Sequence, residues 1–133
     1  MRPEHLNSAI AMAQSSTSKK KVGAVLLRKS KIISTAVNLE AKSHPTQAHY
    51  GERICREYND YRYSEQIYLH AEINCLIRAR SDADTIIVVR VNRQNQLRMS
   101  LPCPICMLAL KEAKIKHCYY TDNVGFNYIN IHS

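Results

Sequence analysis

His70-Ala71-Glu72 and Pro102-Cys103-Pro104-Ile105-Cys106 are the residues of this chain whose types and spacing can do chemistry. One imidazole and two thiols make a zinc ligand set of the open kind, three protein ligands with a fourth position left for water. With Cys103 at a helix cap and Cys106 one turn on, both sulfurs point the same way. The positive end of the helix favours their thiolate forms. Pro102 and Pro104, half of the chain's four prolines, stiffen the backbone on either side of the first ligand. His70 heads a second helix. Glu72, two residues on, can reach a water at the metal without being a ligand. Two thiolates and a neutral imidazole balance the charge of Zn²⁺ and leave a nearly neutral site. A purely structural zinc site would recruit a fourth protein ligand, from Cys75, Cys118 or a distant histidine, and would leave Glu72 without a role.

The elements that must position these residues follow from periodicity. Pro3-Glu4 is a good helix start, and Leu6, Ala9, Ile10 and Ala13 then recur on one face. Val22 to Leu27 reads as a buried strand, turned at Lys29-Ser30 into a second strand, Ile32 to Val37. Residues 39–68 are the least regular, with helix expected over 46–58. Ala71 to Arg80 reads as a helix. Thr85 to Val91 is β-branched and almost wholly apolar, as in a strand buried on both faces. Asn92 to Gln96 is a polar turn, Pro104 to Ala113 a short helix and His117 to Thr121 a strand. If Phe126 to Ile131 forms a last strand, the link before it is too short for a parallel crossover, so it should run antiparallel. This order predicts a three-layer α/β/α sandwich, with a mixed five-stranded sheet and helices on both faces.

Composition bounds the rest. A chain of 133 residues with no linker or repeat is read as one domain, 1–133. No apolar run approaches a membrane span and no signal-peptide core follows Met1, so a cytoplasmic protein is expected. Five cysteines, an odd number, then favour metal binding or core packing over disulfides. Nineteen Lys and Arg against eleven Asp and Glu give +8, which points to an anionic partner.

The pattern H-x-E…P-C-x-x-C resembles the signature of the zinc-dependent cytidine/deoxycytidylate deaminase superfamily. The resemblance extends to Val22-Gly23-Ala24-Val25-Leu26, to Asn38 after the second strand and to Tyr119-Tyr120-Thr121-Asp122. It implies one catalytic Zn²⁺ per chain on His70, Cys103 and Cys106. Glu72 would shuttle protons between water, the ring nitrogen and the leaving amine. Asn38 and the amide of Ala71 would contact substrate, and Tyr120 and Asp122 would do so from the last loop. The implied activity is hydrolytic conversion of a cytosine ring to uracil with release of ammonia. A free nucleotide or nucleoside is the first choice of substrate. A single-stranded DNA or RNA deaminase, on cytosine or less readily adenine, is the alternative. A catalytically silent zinc module that binds nucleic acid is a remote third.

Two departures stand out. Met99-Ser100-Leu101 puts an apolar residue before Pro102, where many relatives carry a small polar residue or an acid. The short 122–125 link resembles the branch that includes free-nucleoside deaminases. Three basic clusters favour a phosphate on the substrate: residues 19–31; Arg90, Arg93 and Arg98; and Lys111, Lys114 and Lys116. Tyr50, Tyr58, Tyr61, Tyr63 and Tyr68 alternate with Arg53, Arg56 and Arg62, a composition shared by subunit interfaces, substrate lids and nucleic-acid grooves. The resemblance also implies a homo-oligomer. His44, His49 and Cys55 offer the donors for a second zinc, though their spacing matches no compact ligand motif.

Overall fold

The sheet grows from a tight hairpin. In a computed structural model that describes residues 2–58 and 68–131, β1 (Lys21–Arg28) turns back into β2 (Lys31–Val37) through Lys29 and Ser30. Both take positive φ, 48° and 68°, the sense that matches the twist of paired strands. Neither is glycine, and the Lys29 amide is held by the Asp84 carboxylate at 3.1 Å.

The remaining elements are α1 (Pro3–Ser15), β3 (Leu39–Ser43), α2 (Pro45–Tyr58), β4 (Tyr68–Leu69) and α3 (Ala71–Arg78), then β5 (Thr85–Val91), β6 (Leu97–Arg98), α4 (Pro104–Glu112), β7 (His117–Thr121) and β8 (Phe126–Asn130). The main sheet has the order β2-β1-β5-β7-β8, with the two-residue β6 paired to the end of β5. Among the described residues only β5 and β7 pair in parallel; β1 with β2, β1 with β5, and β7 with β8 are antiparallel. The mixed five-strand path and the antiparallel last strand are as expected. The ribbon of β3 and β4 and the short β6 are additions.

Alternation along the central strands divides the core. Val25, Leu27, Ile87 and Val89 face α1, where Ala9 and Ala13 are fully buried. Ala24, Leu26, Ile86 and Val88 face Cys75 of α3 and Leu110 of α4. A third apolar group, Ile54, Leu69, Ile73, Ile105 and Cys106, seats α2 against α3 and α4. Cys75 and Cys118 are fully buried bystanders, and burial pushes their thiols up to about 11 and about 12.

Because α4 lies between the parallel strands β5 and β7, its N-terminus falls at their C-terminal ends, where open α/β sheets place their ligands. The same end of the sheet carries Lys21, Arg90 and Arg98 through the pairs Lys21↔Val91, Val22↔Arg90 and Arg90↔Arg98. Arg28 and Lys31 sit at the opposite end, about 23 Å along β1. Residues 19–31 are therefore two basic groups rather than one.

Candidate active site

Two helix starts converge on one point. His70 is the N-cap of α3 and Cys103 the N-cap of α4, both in extended backbone. Pro104 fits the first position of α4, where an amide hydrogen would find no helical acceptor. The carbonyls of His70 and Cys103 accept the first helical hydrogen bonds, from Asn74 at 2.9 Å and Met107 at 2.8 Å. Neither side chain caps its own helix, so both are available to the site. Cys106, one turn into α4, faces the same point.

His70 Nδ1 lies 3.2 Å from Cys106 Sγ and 3.6 Å from Cys103 Sγ, and the three donor atoms fall within 4.8 Å of one another. Tetrahedral zinc with such ligands spaces them about 3.5–3.8 Å apart, so the set fits the ion. Donor chemistry agrees. A hydrogen bond from Cys106 draws the Cys103 thiol down to about 4, while burial, then the same bond, pushes Cys106 well up. Burial opposes charge on His70, but its hydrogen bond to Cys103 and the charge of that thiolate outweigh it. A divalent cation supplies the positive charge that these groups otherwise draw from protons. Among the described residues this is the one such group of His, Cys, Asp and Glu, and neither Cys75 nor Cys118 joins it. Among the described residues the set is therefore three-liganded, the arrangement that hydrolytic zinc uses.

Glu72 is 6% exposed and carries no ligand atom of the set. Burial, then the negative Cys103, raises its carboxyl above the usual carboxylate range. It lines a cleft of about 230 Å³ together with His70, Cys103, Ala71 and Asn38. Ala71 is buried, and its amide is the first of α3, beyond reach of an intrahelical acceptor. Asn38 lines the cleft but is also a brace. Its Oδ1 accepts from Ser16 Oγ at 2.8 Å and the Val22 amide at 3.2 Å, and its Nδ2 donates to the Lys20 carbonyl at 2.6 Å.

Tyr120 and Asp122 are not brought to this cleft. Tyr120 packs against the core between the sheet and α3 and α4. Asp122 closes the β7–β8 turn, accepting from Val124 and Gly125 amides at 2.7 and 2.9 Å and from Asn127 Nδ2 at 2.8 Å. Those bonds, Asn127 foremost, hold its carboxyl below the ordinary range. His44, His49 and Cys55 do not converge either. His44 Nδ1 accepts the Thr46 amide at 3.1 Å, His49 meets the edge of Tyr50, and Cys55 is buried. Tyr61, Arg62 and Tyr63 lie outside the described residues.

Residues that the motif did not mark complete the walls. Lys20 and Arg90 line the cleft, as do Tyr68 and Ser100. The Tyr68 ring lies 4.7 Å from that of His70. Ser100 Oγ donates to the Val88 carbonyl at 2.6 Å and accepts the Thr121 amide at 2.7 Å, pinning the loop before Pro102 to β5 and β7. Lys20 and Arg90 did stand out as members of basic clusters, but charge alone does not tell a wall from a surface.

Solved structures share this fold. Cytidine deaminase from Burkholderia pseudomallei matches at TM-score 0.64 and 17% identity, over 98% of this chain and 94% of that one. The dCMP deaminase of cyanophage S-TIM5 matches in its apo form at 0.54 and 20%, over 93% and 87%. The same enzyme in complex with dCMP and dUMP matches at 0.53 and 21%, over 90% and 82%. At these identities the likeness establishes the fold. No curated protein matches the chain. The family model for the cytidine and deoxycytidylate deaminase zinc-binding region matches residues 2–122, which include His70, Glu72, Cys103 and Cys106, and the chain belongs to that family.

Proposed function

We propose that the protein is a zinc-dependent hydrolytic deaminase of free cytosine nucleotides, converting the ring to uracil and releasing ammonia. The observation that carries the choice of a nucleotide is the pair of cations, Lys20 and Arg90, in the wall of the cleft that holds His70 and Glu72. Two cations beside a small cleft favour an anionic group on a small substrate.

His70, Cys103 and Cys106 would hold the zinc, which when bound would supply the Lewis acidity that makes water a nucleophile near neutral pH. Glu72 takes one proton from the attacking water and passes it to the ring nitrogen. The second proton of that water follows the same route to the amine. The carbon–nitrogen bond then breaks, ammonia leaves, and the ring keeps the oxygen as a carbonyl. The Ala71 amide and the remaining hydrogen of the Asn38 amide orient the substrate, the former at the base and the latter at the sugar. Lys20 and Arg90 hold the phosphate. Tyr68 covers His70 and limits water at that wall. The exposed Met99 and Leu101 at the lip and the further cations Lys21 and Arg98 nearby favour a second reading, a single-stranded polynucleotide.

One panel tests the choice: the zinc-loaded protein with dCMP, CMP, deoxycytidine, cytidine, adenosine and a cytosine-containing single strand, followed by ammonia release. Turnover of dCMP or CMP above the nucleosides and the strand is expected. Lys20→Gln and Arg90→Gln should each raise KM for the nucleotide about tenfold and leave the nucleosides unchanged. Equal use of nucleosides, or activity confined to the strand, would overturn the nucleotide reading.

A further inference from the structure

Gln47 lies in the first turn of α2 and is 0% exposed. Its Oε1 accepts the backbone N–H of His70 at 3.1 Å. The first turn that carries it is itself fixed, since His44 Nδ1 accepts the Thr46 amide. Two buried side-chain atoms among the described residues have no hydrogen-bond partner, Gln47 Nε2 and His70 Nε2. His70 turns Nδ1 toward both sulfurs. A ring that binds metal through Nδ1 carries its proton on Nε2, which makes Nε2 a donor.

We propose that Gln47 is a positioning residue of the metal centre. By accepting the amide of His70 it sets the backbone at the head of α3, and so aims Nδ1 at the point where Cys103 and Cys106 converge. A glutamine buried this deeply is not there for solubility, and a hydrocarbon of the same length would fill the space without leaving an amide group unpaired. Its acceptor is therefore the part in use. Nothing in this role depends on the substrate. It rests on the ligand set alone, so failure of the nucleotide reading leaves it standing.

The test uses the full chain loaded with zinc or with cobalt(II). Gln47→Met keeps the length and removes the acceptor; Gln47→Asn keeps the amide but withdraws it by one carbon. Each should weaken zinc, measured by competition with a chromophoric chelator, by about 10- to 100-fold. Each should also shift the visible spectrum of the cobalt protein while its far-ultraviolet dichroism stays that of the parent. Gln47→Glu retains the acceptor and should hold zinc at least as tightly as the parent. Parental zinc affinity and cobalt spectrum in Gln47→Met or Gln47→Asn would overturn the proposal, since packing would then suffice. Should those two fail to fold, weakened zinc in Gln47→Glu overturns it, and retained zinc supports it.

Discussion

In the proposed mechanism Glu72 acts in both directions, and its burial suits that role. Burial raises its carboxyl and the neighbouring Cys103 raises it further, while it contributes nothing to the ligand set. Glu72→Gln should therefore lower kcat by at least about 10²- to 10⁴-fold while leaving one zinc per chain. Steady-state kinetics with metal analysis on the same sample checks both halves, and near-parental turnover would remove Glu72 from the mechanism. Most of the centre was legible at this scale because the ligands and Glu72 lie in two short local motifs, each at a helix start. Lys20, Arg90 and Gln47 were not. Lys20 and Arg90 look like any surface cation until the register Val22↔Arg90 brings their segments together. Gln47 looks like any helix surface residue until α2 is docked. Asn38 was expected as a substrate contact, and the fold makes it a brace for Lys20.

Among elements, α1 and β1 meet where Gly23 has no side chain. A Cβ there would come within 2.3 Å of the Ala13 nitrogen and 2.7 Å of the Met12 carbonyl carbon, backbone atoms that cannot swing aside. Gly23→Ala should destabilise the protein by about 1–3 kcal/mol or more through displacement of α1. Gly125→Ala, where nothing lies within 4 Å, serves as the control. Urea denaturation midpoints of the two variants decide the matter, and equal midpoints would refute the close approach. The long elements could be read from sequence because their periodicity is strong: the apolar run of β5, the face of α1 and the proline-headed α4. β3 is a pentad with only two apolar residues, Leu39 and Ala41, and β4 and β6 are two residues each. Such pieces exist only because a neighbour offers hydrogen bonds, and no pattern of their own records it.

Over the whole molecule the excess of eight positive charges is unevenly placed. Lys20 and Arg90 stand in the cleft, with Lys21 and Arg98 alongside, while Arg28, Lys29 and Lys31 gather at the far end of the sheet. Only the first group can draw an anion to Glu72. With a Debye length of about 8 Å at physiological salt, the second is too remote to contribute. For a nucleotide, kcat/KM should fall several-fold between about 20 mM and about 500 mM salt. For the matching nucleoside it should stay nearly flat, and an equal response of the two would argue against capture by these cations. Net charge was evident from composition, but its division into two poles was not, because it depends on the direction in which β1 runs. No helix among the described residues is long and apolar enough to cross a membrane.

The separation of the ligands along the chain has a consequence for how the protein matures. His70 precedes β5, and Cys103 and Cys106 follow it, so in the folded chain the three donors meet across an intervening strand at the centre of the sheet. A chain emerging during synthesis exposes the histidine well before the cysteines exist, and the cysteines alone offer two thiols three residues apart. The complete three-donor set is then a property of the folded chain, and an ion bound there would favour the assembled sheet over the unfolded chain.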